Sequence, residues 1–341
     1  MTERVLTQRE LNRTLLARQM LLERSRLPLP QVVERMGGIQ AQYAPSAYIG
    51  LWSRVAGFER EQLTRALERR TLIQGTLLRA TIHIVSRRDY WPLREAIRES
   101  DQLWLRQAWP EIAGRDRKEP NRLLRAALAD GPRRRNELLT LVGKEGWEAA
   151  DVDLVRVPPS GTWENRRAHL FGLAEQWVGP ADADIQAGRE LLVRRYLRAF
   201  GPARVADIAR WARLAREHVE PAVERVATRG FRDEQGRQLV DLPRAPILAA
   251  ETPAPPRFIG SFDALLLVHA RRTGVLPEEF RPRIFNTKAP QSFHTFLVDG
   301  AVAGAWRYDD ERVRLEPFRR LTRAERTELD EEAERLAAFH A

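Results

Sequence analysis

The sequence predicts a mainly helical protein with β-structure: tandem winged-helix modules, then a small C-terminal β domain and a terminal helix. Three observations carry that reading. Amphipathic helices followed by a strand pair recur along the first part of the chain, a proline-rich break follows at 244–257, and the pattern beyond it turns to strands. With 341 residues, 43% of them hydrophobic, the chain can bury a large core but exceeds the usual size of one compact domain. The modules are expected at 1–115, 116–184 and 185–245, and the β domain with its helix at 255–341.

Thr7-Gln8-Arg9-Glu10 is a capping box, and it opens a helix with Leu11, Leu15, Leu16 and Met20 on one face. Pro30 suits the first turn of a second helix, which Gly37-Gly38 ends. A third helix starts near Pro45 and carries Ile49, Leu51, Trp52 and Val55, and a fourth covers Arg60 to Arg69. In the stretch 76–88, Leu78, Ala80, Ile82 and Ile84 alternate with Arg79, Thr81, His83 and Val85, the pattern of a wing strand with His83 on its polar side.

A similar order recurs. Residues 119–142 give two helices around Gly131-Pro132, with a strand at LVRVPP, 154–159. Further on, Phe200-Gly201-Pro202 separates two helices, another helix follows at 214–229, and FRDEQGRQLVDLP forms a wing with its tip at Gln235-Gly236. Beyond the proline-rich break, FDALLLV, PRIF, SFHTFLVDG and AVAGAWRY read as strands, with Asp299-Gly300 as a hairpin turn, and a polar helix runs from about Thr322 to His340.

The formal charge is +10, and only Lys118, Lys144 and Lys288 of the 57 cations are lysines. An arginine-rich basic protein suits phosphate partners, although the same bias follows from a GC-rich genome. The absence of cysteine excludes disulfides, thiolate zinc sites, iron–sulfur clusters and thiol nucleophiles. The histidines show no metal spacing, and phosphate loops and dinucleotide fingerprints are missing, so neither metal nor cofactor is expected. No window approaches the ~18 apolar residues that span a bilayer, so a cytoplasmic protein without a membrane partner is expected.

The stretch GGIQAQYAP, 37–45, holds two neutral amides one residue apart. On an extended segment, which Gly37-Gly38 and Pro45 favour, residues i and i+2 project the same way, so Gln40 and Gln42 can converge on one target. Each amide offers an acceptor and two N–H donors, enough to hold a water, but neither takes up a proton near neutrality. A solvated or helix-capping loop is the commoner reading of such a segment. Asp263, entering an apolar run, is expected to cap or bridge structural elements.

Five landmarks in order, IQAQ (39–42), LLRATIHIV (77–85), YLRAFGPARVADIARW (196–211), FDALLL (262–267) and FLVDGAVAGAWR (296–307), resemble the winged-helix DNA glycosylases of the AlkZ and AlkX (YcaQ) type. The resemblance covers most of the chain. It implies tandem winged helices with a β-barrel-like C-terminal domain, and removal of N7-alkylated purines and interstrand crosslinks from double-stranded DNA. It also implies Gln40 and Gln42 as the catalytic pair, placing this chain on the AlkZ side, where the last motif position is Gln rather than Asp. With no lysine near the motif, a monofunctional enzyme is expected, and the protein is expected to be a monomer. Phosphate or base contacts are expected at Arg79, Thr81, His83, Arg87 and Arg88, and at Arg281, Arg283 and Lys288. A winged-helix transcriptional regulator and a non-catalytic damage-binding protein remain the alternatives.

Overall fold

The computed structural model describes residues 3–166, 169–226, 229–286 and 291–341. Thr7 caps the helix Gln8–Arg18 through the reciprocal box that the sequence predicts, its hydroxyl accepting from the Glu10 N–H. The helix Leu29–Met36 ends at Gly37 (φ 76), and Gly38 (φ 89) is left-handed as well. Such φ values favour glycine, and they turn the chain straight from the helix into the short strand Ile39–Gln40. Helices Ala44–Trp52 and Arg60–Glu68 follow.

The strand pair expected as the first wing differs from the sequence expectation. Its strands are Leu72–Thr76 and Ile82–Ser86, and between them Arg79 (φ 58) and Ala80 (φ 54) are left-handed. The Leu77 N–H donates to the Thr81 carbonyl at 3.0 Å, closing a tight turn, so the apparent alternation at Leu78 and Ala80 belongs to no strand. Arg87 and Arg88 do not end the strand; they open the long helix Arg87–Ala108.

Six strands form one sheet in the order Ile39–Gln40, Ile82–Ser86, Leu72–Thr76, Leu154–Arg156, Leu170–Leu173 and Arg133–Arg134. Leu72–Thr76 pairs with Leu154–Arg156, so strands from the first and second helical segments fuse. In the third segment, helices Ile185–Phe200, Val205–Ala212 and Arg216–Arg225 precede a hairpin of Arg229–Asp233 and Gln238–Asp241. Val5–Leu6 joins that hairpin in parallel and ties the start of the chain to it.

The core crosses these segments as well. Leu15, Leu16, Ile73 and Val85 share one apolar cluster with Leu192, Tyr196, Phe200 and Trp211. A second cluster joins Val32, Tyr48 and Trp52 to Trp163, Phe258, Trp306 and Leu329. Burying such faces against one another removes apolar surface from water and fixes the segments relative to the short strand that carries Gln40.

The C-terminal sheet is antiparallel, ordered Arg257–Ile259, Thr295–Val298, Ala301–Asp309 and Arg312–Pro317. Among the described residues its two outer strands do not pair with each other, so it is an open sheet, and the helix Arg323–His340 packs against both of those strands. Asp299 (φ 49) and Gly300 (φ 78) turn the predicted hairpin, and Asn12 donates to the Gly300 carbonyl at 2.9 Å, docking it on the first helix.

Two stretches expected to be strands are short helices. Phe262 is left-handed (φ 61) and the Asp263 carboxylate accepts from the Leu265 N–H at 3.0 Å, which sets up the 3-10 turn Ala264–Leu266. Arg281–Ile284 is a single helical turn leading into Phe285–Asn286, which pairs with Gln291–Ser292. Among the described residues no helix is long and apolar enough to cross a membrane.

Candidate active site

Gln40 ends the first strand of the six-stranded sheet, half-buried, and Gln42 follows on the exposed side of Ala41, which is itself buried. The ladder runs on through the Ala41 N–H, which donates to the Ile82 carbonyl at 2.8 Å. The Ile82 N–H takes a side-chain acceptor, Gln42 Oε1, at 3.2 Å. Gln40 Oε1 accepts from the Arg79 guanidinium at 3.0 Å. Both amide carbonyls are therefore held by the short segment 79–82, the turn and the first residue of the strand after it. Because a backbone N–H and a guanidinium can only donate, these contacts also fix which end of each amide is oxygen. Each oxygen keeps a second lone pair.

Arg79 adopts its left-handed backbone at the tip of this turn, and it also donates to the Trp211 carbonyl in the last turn of Val205–Ala212. A cation suits the carbonyl end of a helix. No carboxylate lies within 4.0 Å of Arg79 among the described residues; burial, followed by the nearby Arg213 charge, draws its pKa down to about 10. It remains a cation at neutrality and polarises the Gln40 amide. The chain Gln40–Arg79–Trp211 thus links the first and third segments.

His83 stands directly opposite Gln40 in the ladder. It is buried, not on an exposed polar face as the alternation suggested, because successive residues of this strand, His83, Ile84, Val85 and Ser86, are all buried. Its Nδ1 lies 3.0 Å from the Thr81 carbonyl, an acceptor, so Nδ1 carries the proton and Nε2 the lone pair. Burial, then the charge of Arg79, lowers its pKa to about 3. Tyr43, next to Gln42 and 37% exposed, accepts from Arg166 at 3.3 Å, and its ring lies 6.4 Å from His294. The second segment and the C-terminal domain therefore also meet beside the two amides.

The other candidate contacts are placed less freely than their charges suggested. Thr81 donates its hydroxyl to the Leu78 carbonyl at 3.0 Å. Arg87 donates to the Val178 carbonyl at 2.9 Å, and Arg88, though exposed, pairs with Glu34. Arg281 is bound to Glu278 at 3.0 Å, while Arg283 pairs with Glu316 at 3.0 Å and lies 3.7 Å over the Phe318 ring. Lys288 lies outside the described residues. Sequence reasoning missed the anchoring roles of Arg79, Trp211 and the Ile82 N–H. Only the left-handed turn at Arg79 brings them together, and no local pattern announces it.

Four histidines share one pH consequence. Burial lowers His83 to about 3, His294 and His340 to about 4, and His269 well below its usual range. Between pH 6.5 and 4 the unfolded chain binds protons at these positions and the folded chain does not, so their contribution is full above about pH 6.5 and falls as pH drops. Thermal unfolding is expected to move to lower temperature from pH 7.5 to pH 5. A midpoint that rises on acidification would contradict the buried neutral assignment.

The family model described as DNA glycosylase AlkZ-like matches residues 33–339. The chain is 25% identical over 348 residues to an interstrand DNA cross-link repair glycosylase of Streptomyces sahachiroi, covering 94% of this chain and 93% of that protein. The structure of Streptomyces sahachiroi DNA glycosylase AlkZ shares its fold, with a TM-score of 0.81 at 20% identity over 98% of this chain and 97% of that one. Since the family match runs from the helix that precedes Gln40 to the last turn of the terminal helix, the chain belongs to the AlkZ-like DNA glycosylase family.

Proposed function

We infer that the protein is a monofunctional DNA glycosylase that hydrolyses the N-glycosidic bond of N7-alkylated purines in duplex DNA, interstrand crosslinks included. The observation that carries this reading is the anchoring of Gln40 and Gln42 by their carbonyls to the neighbouring Arg79 and Ile82, with Gln42 open to solvent. Crosslink repair is the activity named for the Streptomyces sahachiroi relative. The tandem segments act as winged helices around the site, and the open C-terminal sheet is the counterpart of the family's barrel-like domain.

N7 alkylation makes the purine cationic, so the base departs with its bonding electrons and needs no general acid. The sugar left behind is oxocarbenium-like at C1′, and it needs a water in place more than a strong base. The free lone pairs on Gln40 Oε1 and Gln42 Oε1 accept hydrogen bonds from that water and aim its oxygen at C1′, while the amide dipoles face the developing positive charge; as the oxygen bonds to C1′ the surplus proton passes to solvent. Arg79, a cation, is kept behind Gln40 rather than at the sugar. His83 stays neutral and adds no charge to the site.

A strand-cutting glycosylase requires an amine to form a Schiff base. The three lysines of this chain, Lys118, Lys144 and Lys288, lie far from Gln40 in sequence, and the first two stand at the start of the helix Lys118–Leu128 and within Arg135–Ala149. Incubation with an N7-methylguanine duplex is therefore expected to release the free base and leave an abasic strand that breaks only when alkali is added. Direct nicking, or an adduct trapped by borohydride, would overturn the monofunctional assignment.

A further inference from the structure

We propose that Arg35, Arg198 and Arg244 form a phosphate-binding groove that grips the DNA backbone beside the site, an inference that rests on the glycosylase reading. The three side chains line a concave surface of about 780 Å³ whose floor includes Leu242, Pro246 and Leu248. Among the described residues none of the three has a carboxylate within 4.0 Å, whereas the buried Arg18, Arg54, Arg195 and Arg272 are each paired with an acid. Arg18, which also lines the groove, is neutralised by the buried Asp241 at 2.8 Å. Glu34, whose charge reaches Arg198, is committed to Arg88 and, at 3.2 Å, to Arg195.

Like charges gathered around one concavity repel. Burial and then Arg35 lower the Arg198 pKa, which places the two guanidiniums within electrostatic reach of each other. Arg35 and Arg198 each lie in the last turn of a helix, Leu29–Met36 and Ile185–Phe200, where a cation is favoured. That preference accounts for each arginine alone. It does not account for two helix ends and Arg244 of the proline-rich segment facing one unneutralised groove, which an anion relieves. Guanidinium forks match phosphate oxygens in pairs.

The location favours a DNA backbone over a small anion. Arg35 precedes Gln40 by five residues, a reach of at most about 18 Å, roughly half a turn of duplex. A backbone held there positions the lesion over the two amides without reading sequence.

The test is the salt dependence of duplex binding. The triple variant R35A/R198A/R244A, checked for an unchanged circular-dichroism spectrum, is expected to lower the slope of log Kobs against log[salt] by roughly 2–3, about 0.9 for each phosphate no longer neutralised. The loss is expected on undamaged and N7-methylguanine duplexes alike, and R35K/R198K/R244K is expected to restore most of the slope. An unchanged slope in the alanine variant overturns the proposal. So does saturable stabilisation of the wild type by inorganic phosphate that the variant loses while its DNA slope stays the same, since the groove would then be a small-anion site. If the wild type shows the expected slope but releases no base, the glycosylase reading fails and the groove stands.

Discussion

Replacing Gln40 by alanine is expected to slow single-turnover excision of N7-methylguanine by about 10²–10³-fold, the usual loss when one preorganised polar contact to the transition state is removed. In the proposed mechanism the amide holds one face of the water, with its carbonyl fixed by Arg79. DNA affinity is expected to change little, because the proposed phosphate contacts lie at other residues. Gln42→Ala is expected to fall in the same range, with the Ile82 N–H left to solvent. Gln42→Asp is the more instructive change. A carboxylate can still accept from Ile82 and from water but donates nothing, so activity on a small N7 adduct is expected to survive while the preference among larger adducts shifts. Equal losses of binding and excision in Gln40→Ala would mean that the amide holds DNA rather than water.

The largest expected effect on stability lies at Asp263. Its carboxylate caps the turn Ala264–Leu266 and sits 3.0 Å from the guanidinium of Arg54, whose side chain is fully buried. Arg54 also donates to the Gly50 carbonyl at 3.0 Å, so the pair joins the helix Ala44–Trp52 to the C-terminal domain. Removing one partner leaves an uncompensated charge inside the protein. Asp263→Ala is expected to cost about 3–5 kcal/mol and to lower the denaturation midpoint correspondingly. The double variant D263A/R54M is expected to recover much of that loss, because an apolar pair of similar volume does not strand a charge. Full stability in Asp263→Ala, with excision abolished, would reverse the assignment and make Asp263 part of the chemistry.

Elements whose signals are local were legible in the sequence. The capping box at Thr7 carries both partners within four residues, and Asp299-Gly300 names its own turn. Errors arose where a distant contact decided the backbone. Leu78 and Ala80 alternated like a strand, but Arg79 turns left-handed with its guanidinium bound to Trp211 and Gln40, residues far apart in the chain. FDALLL looked like a buried strand because apolar runs do not show their period, and Asp263 folded it into a helical turn. The spacing of Gln40 and Gln42 pointed to an extended segment, and the first of them lies in a strand. What spacing could not supply is the direction of each amide, since that depends on Arg79 and the Ile82 N–H. Charge counting had a similar limit. It marked Arg88 and Arg283, which are paired with Glu34 and Glu316, and passed over Arg35, Arg198 and Arg244, which have no acidic partner among the described residues.

The most direct measurement is chromatographic detection of free base released from a defined N7-methylguanine duplex under single-turnover conditions, by the wild type and by Q40A/Q42A. Release of N7-methylguanine by the wild type, lost in a double variant that still binds the duplex, is the result expected if the two amides position the water. Release at the same rate by both proteins would contradict that role.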